Sequence, residues 1–208
     1  MKLRRDNALI IVDLQNDFLP GGALGVEGGD AIIPIINKLT DQFDLVVASQ
    51  DIHPERHVSF AETHGLKVGD TIDLEGQCQK LWPIHCVENT KGAAYTEKLK
   101  NEKIEAYFQK GTHPHIDSYS AFFDNDHEYE TELDHYLRER EVKTLFIVGL
   151  TTDFCVKFTV LDALALDYKV VVIRDACKPV FEEEEVLKEL QKKGAEVAFS
   201  YELLGKNQ

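Results

Sequence analysis

Six apolar, β-branched runs recur along the chain: ALIIVDL at 8–14, LVVAS at 45–49, EAYFQ at 105–109, TLFIVGL at 144–150, KVVVI at 169–173 and EVAFS at 196–200. Their apolar residues are near-continuous rather than alternating, the pattern of strands buried on both faces. The segments between carry helical period. In DAIIPIINKLTDQF the residues Ile32, Ile35, Ile36 and Leu39 share one face. ELDHYLRERE and EEEEVLKELQKKG behave likewise, the second with acids at its start (Glu182 to Glu185, a solvated helix start), bases near its end and Gly194 behind it, as the helix dipole and C-cap favour. Strand–helix alternation on this scale predicts an α/β fold: a single domain over residues 1–208, with a roughly six-stranded parallel sheet, helices on both faces and right-handed crossovers. Residues 51–95 break the pattern. They hold Gly, Pro, His and polar residues without a long periodic run, and long irregular stretches inside compact domains are usually functional loops.

Composition narrows the partners more than the fold. The 208 residues are 43% hydrophobic and 29% charged, with a formal net charge of -14 and no basic cluster; nucleic acids and anionic membranes repel such a body. No apolar stretch approaches the roughly 20 residues that span a bilayer, and Asp13 interrupts the first run before a signal-peptide core can form. The expectation is a cytoplasmic protein acting on a small molecule, with a homo-oligomer left open. Four cysteines, Cys78, Cys86, Cys155 and Cys177, form no CxxC pair and no disulfide framework. Each thiol is judged by its own surroundings.

Open parallel sheets bind ligands beyond the carboxyl ends of their strands. Asp13 ends the first run, Asp51 and His53 follow the second, Lys110 the third and Cys155 the fourth, so all five are expected at one rim. Cys155 stands at the start of FCVKFTVLDALAL, where free N–H groups and the helix dipole favour thiolate and can hold an oxyanion. In isolation it reads equally well as a core thiol. Asp13 must find loop amides or a catalytic use, and Lys110 beside it would be the cation that lets acid and thiol ionise. Asp51 and His53, two apart on an extended segment, can point the same way, and His85 from LWPIHC completes three N and O donors for a divalent metal with positions left for water or substrate. His57 ranks below them as a fourth ligand or supporting residue. His64, His113, His115, His127 and His135 are expected at the surface.

With these residues assembled, the chain resembles the nicotinamidases of the isochorismatase-like cysteine hydrolase superfamily. The resemblance runs through IIVDLQNDFLPGGAL, QDIHPERHVSFAETHG, LWPIHCVENTKGA, FQKGTHPHIDSYSAFFDN, GLTTDFCVKFTVLDAL and VIRDAC, in that order. It implies a Rossmann-like three-layer sandwich and hydrolysis of nicotinamide, and of pyrazinamide, to the acid and ammonia through a cysteine thioester in pyridine nucleotide salvage. It further implies a triad of Asp13, Lys110 and Cys155, an oxyanion hole of the Thr151 and Cys155 backbone amides behind a cis Leu150–Thr151 peptide, and one divalent metal on Asp51, His53 and His85, zinc foremost, with iron or manganese also suited. The ring-binding wall falls on Phe18, Leu24, Trp82 and Tyr119. Two positions depart from the family pattern, Ile52 where Trp is common and Thr151 where Ala is common, and both bear on pocket shape rather than on a reacting group.

Rival readings have discriminating features. A relative acting on carbamoyl or ureido compounds would leave the metal donors unexplained, and one acting on isochorismate would need neither thiol nor metal. A silent scaffold would be expected to lack part of the triad, and a redox sensor would want an adjacent second cysteine.

Overall fold

The computed structural model describes residues 3–74 and 76–205. Six parallel strands form one sheet in the order β5–β2–β1–β6–β7–β8: β1 Asn7–Val12, β2 Leu45–Asp51, β5 Ala106–Lys110, β6 Thr144–Leu150, β7 Lys169–Lys178 and β8 Glu196–Ala198. Every β1 residue is buried, because β1 lies centrally with helices over both faces. Its side chains alternate between two cores. Ala8, Ile10 and Val12 join Leu137, Val160 and Leu190 from α3 (Leu133–Glu139), α4 (Lys157–Ala165) and α5 (Glu184–Lys193). Leu9 and Ile11 join Ile33, Ile36 and Leu39 of α1 (Ile33–Thr40), with Leu203 and Leu204 of α6 (Tyr201–Leu204) packed at the edge.

The strand order fixes where a ligand can enter. From β1 the chain builds outward through β2 and β5, then returns to the other side of β1 and builds through β6, β7 and β8. The order reverses between β1 and β6. Loops leaving these two strands part in opposite directions and open a crevice at their carboxyl ends. At this point Gly149 of β6 has φ +119 and sits so close to β1 that a Cβ would collide with the Val12 carbonyl oxygen, so only glycine lets the two strands approach. The Leu150–Thr151 peptide that follows is cis, as the resemblance implied.

Three expectations need correcting in detail. The stretch 51–95 contains a short helix, α2 (Ala61–His64), and an antiparallel ribbon of β3 (Thr71–Leu74) and β4 (Gln77–Lys80). Cys155 does not open the fourth helix; it lies in a π-helical turn, Thr152–Val156, that leads into α4. The last strand ends at Ala198 because Ser200 turns into α6, its N–H and hydroxyl both bonded to the Asp175 carboxylate at 2.8 and 2.6 Å. Among the described residues no helix is long and apolar enough to cross a membrane.

Candidate active site

Asp13 follows the last residue of β1 in a left-handed turn, φ 46, and is fully buried. Its Oδ1 accepts a hydrogen bond from Ser49 Oγ at 2.7 Å, and its Oδ2 lies 3.0 Å from Lys110 Nζ. Lys110 is the final residue of β5 and pairs in register with Asp51, the final residue of β2. Its ammonium donates to the Ser118 carbonyl at 2.7 Å, lies 3.1 Å from Asp51 Oδ1 and reaches Cys155 Sγ at 3.6 Å. The Cys155 thiol and the Asp13 carboxylate act on one another electrostatically across this cluster. One buried ammonium thus touches two carboxylates and a thiol.

The charge states follow from that count. Burial acts to neutralise Lys110, yet Asp13 and Asp51 outweigh it and hold the ammonium well above its usual range. Burial lifts Asp13's carboxyl, partly offset by Lys110. Burial also drives the Cys155 thiol well above its usual range, Lys110 opposing and Asp13 reinforcing the rise. The resting group is therefore a protonated thiol, and the helix-dipole expectation for a free thiolate is outweighed by desolvation. Ionising Cys155 outright would set three anions against one ammonium. Passing its proton to Asp13 leaves the number at two.

Beside this cluster stand Asp51, His53 and His85, all buried, their donor atoms within 4.8 Å of one another. Asp51 Oδ2 lies 2.9 Å from His53 Nε2 and 3.5 Å from His85 Nε2. The opposite ring nitrogens are already committed: His53 Nδ1 donates to the Gly111 carbonyl at 2.9 Å and His85 Nδ1 to the Pro83 carbonyl at 2.8 Å. With Nδ1 committed, both rings leave Nε2 facing the carboxylate, the nitrogen that a metal would take. Burial raises Asp51's carboxyl, but His53 and Lys110 more than compensate and keep it well below the usual range. Gly111 allows the approach: at φ +68, a Cβ would stand 2.5 Å from His53 Cε1 and 2.8 Å from Asp51 Oδ1.

His57 does not share this geometry. It stacks on His53 at 4.1 Å, its Nδ1 accepting from Ser59 Oγ at 2.7 Å and its Nε2 donating to the Ile116 carbonyl at 3.2 Å. Burial pulls its pKa down to about 4, which keeps the ring neutral against His53. Both nitrogens are in use, so it supports His53 rather than offering a ligand, although its Nδ1 or Nε2 lies within reach of His53 and Asp117. Of the five histidines expected at the surface, four are exposed; His113 is half-buried, stacked on Tyr129 at 4.7 Å.

The crevice above these groups encloses about 360 Å³, its open mouth included, a size for small ligands. Phe18, Leu24, Trp82 and Tyr119 all line it, with Asp51, His85, Thr151 and Cys155. Sequence reasoning missed Asp117, Ser118, Phe154 and Val180 on the same wall. Phe154 meets Trp82 edge-on at 4.9 Å and leans on Tyr119 at 5.5 Å, while Trp82 Nε1 donates to Tyr119 Oη at 3.2 Å. Adjacency to Cys155 was the available signal for Phe154; nothing in the local pattern pointed to Asp117, whose carboxylate is held by Gln79 Nε2 and the Ser118 N–H, both at 2.8 Å.

A buried acid, lysine and thiol at the switch point of a parallel sheet, next to a metal-type donor set, is the arrangement of a cysteine hydrolase. The model of the isochorismatase domain matches residues 7–200, and the chain belongs to that family of isochorismatase-like cysteine hydrolases. The nicotinamidase of Escherichia coli is 50% identical over 177 residues, 83% of each chain. A solved nicotinamidase/pyrazinamidase of Acinetobacter baumanii superposes with a TM-score of 0.94 at 43% identity, covering 98% of this chain and all of that one. The pyrazinamidase of Pyrococcus horikoshii, solved in complex with zinc, gives 0.79 at 38% identity over 93% of this chain and 99% of its own.

Proposed function

We propose that this protein hydrolyses nicotinamide to nicotinate and ammonia, and pyrazinamide likewise, with Asp13, Lys110 and Cys155 as the reacting triad. The observation that carries this reading is the single ammonium of Lys110 touching Asp13 and Cys155 beneath an apolar crevice. In the first half-reaction Asp13 takes the Cys155 proton as sulfur attacks the carboxamide carbon. The backbone amides of Thr151 and Cys155 receive the developing oxyanion. The C–N bond then breaks as Asp13 returns its proton to nitrogen, and ammonia leaves. Water next attacks the thioester, giving a proton to Asp13 that passes to the departing thiolate, and the acid is released. Lys110 stays protonated throughout, facing a constant number of anions.

Asp51, His53 and His85 are assigned to one divalent metal ion, zinc foremost, with iron and manganese also matching an O and two N donors. When bound, the ion would supply a Lewis-acid hold on the pyridine nitrogen, directly or through bound water. Phe18, Leu24, Trp82 and Tyr119 then wall the ring and leave its carboxamide over Cys155, an orientation effect able to contribute several kcal/mol.

The test is ammonia release from nicotinamide, pyrazinamide and an N-carbamoyl amine by wild type and Cys155→Ala. The two aromatic amides are expected to turn over and the carbamoyl compound not, with the variant slower by about 10⁴-fold or more. Undiminished turnover by Cys155→Ala would overturn the mechanism, and a preference for the carbamoyl amine would overturn the substrate.

A further inference from the structure

Gln15 is fully buried two residues beyond Asp13, whose carbonyl accepts its N–H at 2.8 Å, while its side-chain amide bonds elsewhere. Its amide closes on the backbone of Asp51: Nε2 donates to the Asp51 carbonyl at 2.7 Å and Oε1 accepts from the Asp51 N–H at 2.8 Å. The second Nε2 proton goes to the Ala93 carbonyl at 2.8 Å, and Cys86 Sγ lies 3.5 Å away.

The need for this arrangement comes from strand lengths. In a parallel strand, alternate residues direct their peptide groups to opposite neighbours. Ile52 N donates to the Lys110 carbonyl at 2.9 Å, so the peptide groups of Asp51 face the other way, toward β1. The β1–β2 ladder ends at Val12 and Ser49, because the chain turns away at Asp13. Asp51 is left beyond its partner strand, with a buried N–H and C=O to satisfy. The side-chain amide of Gln15 offers one donor and one acceptor at the spacing of a peptide and continues the ladder by one rung.

We infer that Gln15 is a positioning residue for the metal site, fixing the Asp51 main chain so that its carboxylate meets both His53 and Lys110. The inference rests on Asp51 being a metal ligand, as proposed above. A Gln that merely filled the core would be equally buried, but it would have no influence on metal affinity once the fold was intact. Gln50 supplies the internal control: its Nε2 also donates to the Ala93 carbonyl, at 3.0 Å, without touching the Asp51 peptide.

Zinc affinity of the metal-stripped full chain, measured by competition with a chromophoric chelator, separates these roles. Gln15→Glu keeps the acceptor and removes both donors; Gln15→Leu removes all three bonds. Both are expected to bind zinc about 10- to 100-fold more weakly, the loss typical of a group that orients a ligand. In the nicotinamide assay KM should rise with kcat within about threefold, consistent with lost uniform binding, and excess zinc should restore KM. Gln50→Ala is expected to match wild type. Folded Gln15 variants with wild-type zinc affinity would overturn the inference, and so would failure of both to fold, which would assign Gln15 to the fold alone. If wild type itself binds no zinc, the metal reading fails and takes this inference with it.

Discussion

The two halves of the site are built by different means. Lys110 is the last residue of β5, Asp13 follows β1 by one residue, and Cys155 lies in the π-helical turn between β6 and α4, so the sheet and the helix start next to it carry all three. His53 and His85 sit outside the sheet: each ring bonds one carbonyl, of Gly111 or Pro83, the His53 backbone bridges to Val87, and the Asp17 carboxylate takes the N–H of Cys86 at 2.7 Å. Asp51 belongs to both, being the last residue of β2 and a member of the donor set. The contrast matches the proposed division of labour. Bond-making atoms ride on the sheet and the turns directly attached to it, and two of the three groups that orient a substrate, His53 and His85, lie outside it.

Lys110 joins the halves, so removing it should have the largest effect. Lys110→Met leaves Asp13 and Asp51 buried beside one another without their common cation. Breaking a buried ion pair from one side costs about 3–5 kcal/mol, and lost electrostatic support of the reacting thiol should lower kcat by about 10²- to 10³-fold or more. The stability deficit should also depend on pH. Burial already lifts Asp13's carboxyl in the wild type, and without Lys110 it rises further. The folded variant then keeps a proton that the unfolded chain releases above about pH 4. The wild type keeps that proton too until pH passes its own raised Asp13 pKa, so the deficit grows with pH above that pKa and narrows as pH falls. Urea melts of both proteins across pH 5–8 check this; a deficit that is constant or shrinks toward high pH would refute the shared-cation picture.

How far the chain announced this arrangement differs between the same two halves. Asp13, Lys110 and Cys155 were legible because continuous apolar runs mark buried parallel strands, and the rim rule turns their ends into a map. The donor set was legible from Asp51 and His53 two apart with His85 on a separate loop, and less so from geometry, since no sequence pattern specifies a carbonyl such as that of Gly111 or Pro83. The β3–β4 ribbon escaped notice because TIDL and QCQK are mostly exposed or half-buried, leaving no hydrophobic period to read. Gln15 escaped for another reason. A side chain that replaces a missing strand partner is defined by where two ladders end, which only the folded sheet reveals. The π-helical turn at Thr152–Val156 was likewise hidden, since its sequence suits an ordinary helix start.

Metal removal probes the orienting half. Treatment with a chelator should raise KM for nicotinamide by about 10- to 100-fold, a loss of orientation and binding, while the melting temperature falls only as far as mass action of a bound ligand requires. Zinc should restore KM. An apo-protein with wild-type KM would show that the donor set is not the substrate's handle.

The smallest effect belongs to the aromatic wall. Trp82 meets the Phe154 ring edge-on, and its Nε1 donates to Tyr119 Oη, whose phenol burial pushes far above its ordinary range. Tyr119 thus remains a neutral hydroxyl, and the Trp82 bond fixes where that hydroxyl sits on the crevice wall. Trp82→Phe keeps an aromatic ring but removes the donor. A neutral hydrogen bond of this kind is worth about 0.5–1.5 kcal/mol, so KM for nicotinamide should rise by a factor of about 2–10 at constant kcat, with zinc affinity unchanged. Steady-state kinetics and the same chelator competition read both quantities. A kcat loss beyond about 100-fold would mean that the wall positions the carboxamide over Cys155 itself, and the separation between a rigid reacting half and a tunable orienting half would no longer hold.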